Sequence, residues 1–205
     1  MKIKVCGMRD NQNLEKLIKL KPDYIGFIFY INSPRFAGEN TPILPRKIKK
    51  TGVFVNSQIE FIKKMIKKHS LQSIQLHGDE KPESCQLLKS FNVEVIKAIN
   101  LLNKYNFKKL IPYEKSCDYF LFDTKGKLPG GNGYAFDWKI LKNYTLNKPF
   151  FLSGGIGPEH VSKIKKLLKT NLPIYAIDIN SKFETKPGIK KIELIEEFKN
   201  KINEL

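Results

Sequence analysis

The stretch FFLSGGIGP, residues 150–158, contains the signals that decide the fold. It opens with three apolar residues, as expected for a strand that is covered on both faces of a parallel sheet. The glycines that follow permit a tight turn. Pro158 then stands where a helix can begin, because the first turn of a helix does not use the N–H that proline lacks. The stretch therefore predicts a β-strand followed directly by an α-helix.

Similar apolar runs recur along the chain at intervals of about 20 to 30 residues, which suit one strand, one short helix and two loops. The runs occupy residues 3–5, 24–29, 53–55, 74–76, 93–99, 119–122, 150–152 and 174–179. Eight such units close most simply as an α/β fold of the (β/α)₈ TIM barrel type. We predict a single compact domain over residues 1–205, with an open doubly wound sheet as the alternative.

Helical patterns fill several of the gaps between these runs. Ser57-Gln58-Ile59-Glu60 has the form of a capping box, and an apolar stripe at helical spacing follows it. Another helix is predicted from Gly157-Pro158, and a last one begins near Lys191. Two prolines make a helix over residues 40–50 doubtful, because proline interrupts the helical hydrogen-bond ladder.

Composition indicates a folded protein without a membrane span. Hydrophobic residues make up 41% of the 205 residues. The uncharged apolar stretch at residues 24–31 is far shorter than the roughly 20 residues of a membrane helix, and the N-terminus lacks a signal-peptide hydrophobic region. The three cysteines lie far apart and form no CxxC pair. We therefore expect free thiols and a cytoplasmic protein.

The net charge of +17 is compatible with a surface that binds nucleic acid or other anions. Only Arg9, Arg35 and Arg46 are arginines, and the lysines are spread over many segments. This distribution favours a chain-wide compositional bias, and we predict no nucleic-acid partner. A noncatalytic anion- or RNA-binding protein is the alternative from a different functional class.

Candidate catalytic residues are those that follow the apolar runs, because barrel chemistry takes place where the strands end. Cys6 follows the first run and Asp123 the sixth, so both side chains are predicted to face one mouth, where they could serve as a base and an acid. The alternatives are a small buried cysteine and an aspartate that caps the following loop. Cys85 and Cys117 are interpreted as buried hydrophobic residues.

Other residues that follow the runs indicate anion binding. Gly154 and Gly155 follow the seventh run, and Asn180 and Ser181 follow the eighth, where TIM barrels frequently bind phosphate. The alternative is that the glycines only form a tight turn. Arg35, which follows the second run, could bind a carboxylate, or it could be an exposed loop arginine without a ligand.

The segment from Thr124 to Asp137 is predicted to form a mobile lid, because Gly130-Gly131-Asn132-Gly133 permits backbone freedom. Ordinary turns, with Asp137 capping a helix, are the alternative. The three histidines lack the spacing of metal ligands, and no HExxH motif occurs. We therefore predict no metal site. The sequence also lacks a nucleophile elbow and a GxxxxGK[ST] phosphate loop.

Taken together and in order, these fragments resemble the phosphoribosylanthranilate isomerase family of tryptophan biosynthesis over nearly the whole chain. The fragments are Lys4-Val5-Cys6-Gly7, Gly26-Phe27-Ile28-Phe29 running to Ser33-Pro34-Arg35, Gly52-Val53-Phe54-Val55-Asn56, Gln75-Leu76-His77-Gly78-Asp79-Glu80, Phe122-Asp123, Gly130-Gly131-Asn132-Gly133 with Phe136-Asp137-Trp138, Leu152-Ser153-Gly154-Gly155, and Pro187-Gly188-Ile189-Lys190.

The resemblance implies a compact barrel that converts N-(5-phosphoribosyl)anthranilate into an aminodeoxyribulose phosphate by an Amadori rearrangement, without a cofactor. It implies that Cys6 is the general base, that Asp123 is the general acid, and that Arg35 binds the anthranilate carboxylate. It assigns the phosphate to four residues, Gly154, Gly155, Asn180 and Ser181.

The chain departs from the family pattern at two positions. Lys182 stands after Asn180-Ser181 where the family commonly has a small residue, and Asn132 stands where the lid usually has threonine. The partner implied is a phosphorylated small molecule. We expect a monomer, although the family also contains dimers. Another phosphosugar isomerase or epimerase is the alternative among enzymes.

Overall fold

Eight parallel strands form a closed barrel in the computed structural model, which describes residues 1–102, 104–124 and 137–204. The strands are β1 (Lys2–Val5), β2 (Tyr24–Ile28), β3 (Lys49–Phe54), β4 (Ser73–Leu76), β5 (Glu94–Leu101), β6 (Tyr119–Thr124), β7 (Phe150–Leu152) and β8 (Ile174–Ile179). Each strand pairs with the next one in the chain, and β8 also pairs with β1. The last pairing closes the sheet. The predicted TIM barrel is therefore confirmed, and the open doubly wound sheet is wrong.

Helices connect the strands on the outside of the barrel. Within the described residues the α-helices are α1 (Asn11–Lys19), α2 (Ile59–His69), α3 (Pro82–Lys89), α4 (Val161–Leu168) and α5 (Ile192–Asn203). Short 3₁₀-helices occupy Phe107–Tyr113, Trp138–Asn143, Pro158–His160 and Ser181–Phe183. A ribbon of β9 (Glu184–Lys186) and β10 (Ile189–Lys190) lies between β8 and α5 in the chain.

Three helix predictions agree with the structure. Residues 29–48, between β2 and β3, form no helix. Pro158 opens a 3₁₀ turn that leads into α4. The last helix starts at Ile192, and it buries Ile195, Phe198 and Ile202 against the core, as its apolar spacing indicates.

The predicted capping box at Ser57 is wrong. The N-cap of α2 is Gln58, and its side chain makes no capping hydrogen bond. Because α2 begins at Ile59, Glu60 occupies the second helical position, one place too early for the reciprocal bond of a capping box.

The interior of the barrel is apolar at mid-height and polar where the strands end. Its apolar cluster consists of Tyr24, Ile96, Ala98, Leu121, Phe151 and Ala176. Side chains alternate between the two faces of a strand, so the residue two positions later faces the same interior. Buried polar residues follow three of the apolar ones in this way, in the pairs Leu121 and Asp123, Phe151 and Ser153, and Ala176 and Asp178. Strand alternation thus places a polar layer above the apolar one, at the mouth of the barrel.

Candidate active site

An open cavity lies at the C-terminal ends of the strands, with about 810 Å³ of empty space when its opening to solvent is included. All of the predicted site residues line it, namely Cys6, Arg35, Asp123, Gly154, Gly155, Asn180 and Ser181. They come from strands and loops that are far apart in the sequence. The structure therefore brings together every residue that the sequence predicted for catalysis or substrate binding, while their individual roles stay predictions.

Cys6 directly follows β1 and contacts β2. Its backbone N–H donates to Ile179 O at 2.9 Å, and a side chain at Gly26 would put a Cβ 2.8 Å from the Cys6 sulfur. Glycine at position 26 therefore gives the thiol its space. Burial raises the pKa of the Cys6 thiol, the cations Lys4 and Lys190 act to lower it, and the Asp178 carboxylate acts to raise it.

Asp123 lies near the end of β6 and is 4% exposed. Its Oδ1 accepts from the backbone N–H of Thr124 at 2.8 Å, and its Oδ2 lies 3.2 Å from His77 Nε2. The other ring nitrogen of His77, Nδ1, lies 2.7 Å from Gln75 Nε2. Gln75 thus holds one side of the His77 ring, and the other ring nitrogen lies near the carboxyl group of Asp123.

Arg35 is 8% exposed, so its interpretation as an exposed loop arginine is wrong. Its Nε lies 3.0 Å from both carboxylate oxygens of Glu184, and its Nη2 lies 2.7 Å from Glu184 Oε2. Glu184 also accepts from Lys190 Nζ at 2.6 Å and from the backbone N–H of Gly188 at 3.1 Å. Although burial acts to raise the pKa of Glu184, Arg35 and Lys190 hold that pKa below its usual value. Glu184 is therefore an anion that holds one edge of the guanidinium in place.

The glycine pair after β7 has the backbone geometry of a tight turn. Gly154 and Gly155 have φ angles of +86° and +59°, in the region that favours glycine. A Cβ at Gly154 would lie 2.4 Å from Thr124 Oγ1 and 2.7 Å from Thr124 N. The two glycines therefore do form a tight turn. This turn is compatible with anion binding, because both glycines also line the cavity.

We expect Gly154→Ala to destabilise the protein more than Gly38→Ala. Gly38 has a similar φ of +78°, but an added Cβ there meets no atom within 4 Å. Both substitutions carry backbone strain of roughly 1–2 kcal/mol, and only Gly154→Ala adds a steric clash. Thermal unfolding of the two variants measures the difference, and equal losses of Tm would contradict this account of the turn.

On the side of β8, Asn180 and Ser181 occupy the positions predicted for phosphate binding. Asn180 Oδ1 accepts from Lys190 Nζ at 2.7 Å, and Ser181 begins a short 3₁₀ turn. Lys182, the departure from the family pattern, is exposed in that turn. Residues 125–136, which include most of the predicted lid and Asn132, lie outside the described residues. Asp137 does cap the next 3₁₀-helix, since its Oδ1 accepts from the backbone N–H of Lys139 at 3.1 Å.

Several buried polar residues around this cavity had no role predicted from the sequence. They are Lys4, Gln75, His77, Ser153, Asp178, Glu184 and Lys190. Lys4 donates to Asp178 Oδ1 at 2.9 Å, and Ser153 Oγ donates to Asp178 Oδ2 at 3.2 Å. The signal that could have identified Lys4 is its position, because a charged residue inside the apolar run of β1 must have a partner.

Cys85 and Cys117 are buried free thiols, as predicted. Among the described residues, no group of three or more histidine, cysteine or acidic side chains could hold a metal ion. In the same part of the chain, no helix has the length and apolar character needed to cross a membrane.

Comparison with known proteins identifies the family. Residues 3–201 match the sequence model of the family described as N-(5'phosphoribosyl)anthranilate (PRA) isomerase. The chain belongs to this family. It is an isomerase of tryptophan biosynthesis, and the family resemblance predicted from its strand-end fragments is confirmed.

Individual members of the N-(5'-phosphoribosyl)anthranilate isomerase family match the chain over nearly their whole length. The enzyme of that name from Parabacteroides distasonis is 42% identical over 97% of this chain and 91% of its own. A solved phosphoribosyl anthranilate isomerase in complex with reduced 1-(o-carboxyphenylamino)-1-deoxyribulose 5-phosphate is 27% identical, with a TM-score of 0.83 and full coverage of both chains, 100% each. The structure of monomers generated from the dimeric Thermotoga maritima enzyme is 26% identical, with a TM-score of 0.79 and 100% coverage of both chains.

Proposed function

We propose that this chain converts N-(5'-phosphoribosyl)anthranilate into 1-(2-carboxyphenylamino)-1-deoxyribulose 5-phosphate, with Cys6 as general base and Asp123 as general acid. The observation that carries the proposal is that both side chains line one cavity together with the predicted binding residues. Cys6 follows β1 and Asp123 lies on β6, three strands away around the closed barrel. A sugar held between them would have a proton donor on one side and a proton acceptor on the other.

The first step is opening of the ribose ring. Asp123 in its protonated form donates a proton to the ring oxygen, the bond between that oxygen and C1 breaks, and the nitrogen lone pair forms an iminium ion at C1. Asp123 is 4% exposed in the cavity. It lines the cavity in which the sugar would bind.

The second step is removal of the proton on C2. The iminium ion acidifies this C–H bond, the thiolate of Cys6 takes the proton, and an enolamine with a C1–C2 double bond forms. Ketonisation then adds a proton to C1 and releases the hydroxyl proton on C2. The sum of the steps is an isomerisation in which no proton or electron is gained or lost, so its balance requires no cofactor.

The two anionic groups of the substrate have candidate partners among the residues that line the cavity. Backbone N–H groups of the glycine turn after β7, together with Asn180 and Ser181, are suited to the phosphate. Arg35 is suited to the anthranilate carboxylate, because Glu184 engages Nε and Nη2 while a guanidinium has five N–H donors in all. Glu184 thus orients the group without using all of its donors.

A direct assay tests the proposed reaction. Purified wild-type protein is mixed with freshly prepared N-(5'-phosphoribosyl)anthranilate, and the loss of substrate fluorescence is followed while the product is identified by mass spectrometry. We expect turnover without added metal or cofactor. Failure of the folded wild-type protein to form the isomer would reject the proposal.

Arg35→Lys is expected to raise KM by roughly 10- to 100-fold, which corresponds to the loss of a charged hydrogen bond of about 1.5–3 kcal/mol. Lysine keeps the positive charge but cannot bind Glu184 through two nitrogens and also orient a donor toward the substrate. Arg46→Lys is the matched control, because Arg46 is exposed and outside the cavity. Equal KM values for both variants would contradict the assignment of the carboxylate to Arg35.

The remaining predictions concern the organisation of the protein. We propose one catalytic domain over residues 1–205 that works as a monomer in the cytoplasm on a phosphorylated small molecule, without a nucleic-acid partner. Two points support this: the lysines are spread over the whole chain, and strands from both ends of the chain complete one barrel. Light scattering coupled to size-exclusion chromatography should give the mass of one chain. The mass of two chains would contradict the predicted monomer.

A further inference from the structure

The buried position of Cys6 raises a problem that the proposed base must overcome. Cys6 is 4% exposed, and transfer of an ionised group out of water is unfavourable unless an opposite charge compensates for it. Removal of a C–H proton requires the thiolate form. A cation close to the sulfur is therefore needed, and the inference below rests on the proposed role of Cys6.

Lys4 is in the position to supply that cation. It lies two residues before Cys6 on β1, so strand alternation directs both side chains into the barrel. Its side chain is fully buried, at 0% exposed. Lys4 and Asp178 are also direct partners in the register between β1 and β8, and Lys4 Nζ donates to Asp178 Oδ1 at 2.9 Å.

The hydrogen-bond capacity of Lys4 leaves room for the thiol. A lysine ammonium has three N–H donors and no acceptor, and Asp178 takes one of them. Lys4 and Cys6 are two residues apart at the end of β1, so their side chains enter the same interior, and the positive charge of Lys4 acts to lower the pKa of the thiol. Asp178 is itself fixed by Ser153, whose hydroxyl donates to its second oxygen. The ammonium is thus anchored by Asp178 on the neighbouring strand, and it has N–H donors beyond the one that Asp178 takes.

We propose that Lys4 is the positioning residue for the general base: its ammonium, anchored by Asp178, donates a hydrogen bond to Cys6 and holds the sulfur as a thiolate inside the barrel.

The other charged groups around Cys6 do not replace Lys4. Lys190 also faces Cys6 and favours the thiolate, but its ammonium donates to Glu184 and Asn180. Arg35 is paired with Glu184. His77, which directly follows β4, is paired with Asp123 on β6. The Asp178 carboxylate opposes ionisation of the thiol.

Lys4 acts against burial on the ionisation of Cys6. Burial is the larger influence and leaves the pKa of the thiol above its usual value, and Lys4 is the largest of the influences that lower it. For Lys4 itself, burial lowers the pKa, but the charges of Asp178 and Cys6 outweigh burial and leave that pKa raised. Lys4 therefore stays protonated over the pH range in which a thiol ionises.

The test measures the ionisation of Cys6 without relying on turnover. The rate of alkylation of Cys6 by iodoacetamide is followed against pH by peptide mass spectrometry in wild type, Lys4→Met and Lys97→Met. Lys97 is the matched control, because it is also a buried lysine and is paired with a buried carboxylate, Glu80, at 3.0 Å. We expect Lys4→Met to move the alkylation midpoint upward by at least about one pH unit, a tenfold loss of thiolate at neutral pH. Lys97→Met should leave the midpoint in place.

A second readout and a second variant keep the test decisive. The acidic limb of the kcat/KM profile should move upward with the alkylation midpoint in Lys4→Met. The double variant Lys4→Met/Asp178→Asn removes both charges and covers the case in which Asp178 without a partner prevents folding. An unshifted midpoint in folded Lys4→Met, or a double variant with the same midpoint as Asp178→Asn alone, overturns the role of Lys4. Full activity of Cys6→Ala overturns the proposed base instead, so the two failures are distinguishable.

Discussion

Cys6→Ala is expected to lower kcat by about 10²- to 10⁴-fold, the usual contribution of a positioned acid or base. The reason is that removal of the C2 proton loses its acceptor. Stopped-flow or steady-state measurement of the loss of substrate fluorescence gives kcat for the variant and for wild type. Circular dichroism should show an unchanged fold, since alanine fits in the space of the thiol beside Gly26.

Cys85→Ala is the matched control for this experiment. Cys85 is also a buried free cysteine, but it lies on α3 and does not line the cavity. We expect it to keep its activity and to lose only a little stability. If Cys6→Ala and Cys85→Ala had the same kcat as wild type, the thiol would have no part in the reaction.

Asp123→Asn is expected to lower kcat by a similar factor, about 10²- to 10⁴-fold. Asparagine has nearly the same shape, and its amide oxygen can still accept from the backbone N–H of Thr124, as Asp123 Oδ1 does at 2.8 Å. The amide has no transferable proton, so ring opening loses its acid. Because substrate binding does not require that proton, the loss should appear in kcat more than in KM.

Asp118→Asn is the matched control for Asp123→Asn, because it also replaces a carboxylate by an amide but does so outside the cavity. Asp118 precedes β6, accepts from the backbone N–H of Val95 at 2.8 Å and pairs with Lys89. It lies at the end of the barrel away from the cavity, and its substitution should leave kcat unchanged. Equal losses in the two variants would show that the Asp123 effect is one of folding and not of proton transfer.

The positions of the proposed site residues could be predicted because one rule governs all of them. Parallel strands in a closed barrel direct their C-terminal ends to one face, so residues that follow different apolar runs meet there. Cys6 and Asp123 are separated by more than half of the chain and still line one cavity. No distance had to be known for this prediction, only the order of strands and loops.

The partners of these residues could not be predicted in the same way. Glu184 holds Arg35 across a separation of 149 residues, and it does so from β9, a short ribbon strand that has no apolar run of its own. The pairing of Lys4 with Asp178 depends on the register between β1 and β8, which exists only when the barrel is closed. Such contacts follow from tertiary geometry and leave no local pattern.

The first residue of α2 also could not be predicted from the local sequence. Ser57 and Glu60 have the spacing of a capping box, yet the helix begins beyond Ser57, at Ile59. Helix termini are determined to within one or two residues by competing caps and by the packing of the adjacent loop. Local sequence therefore predicted that a helix exists there, but not its first residue.

A crystal structure with reduced 1-(o-carboxyphenylamino)-1-deoxyribulose 5-phosphate bound tests the central claim most directly. We predict that the Cys6 sulfur lies within about 4 Å of C2, and that an oxygen of Asp123 lies about 2.6–3.2 Å from the hydroxyl derived from the ring oxygen. The phosphate should lie against Gly154 and Gly155. A ligand bound with either side chain directed away from these atoms would contradict the proposed mechanism.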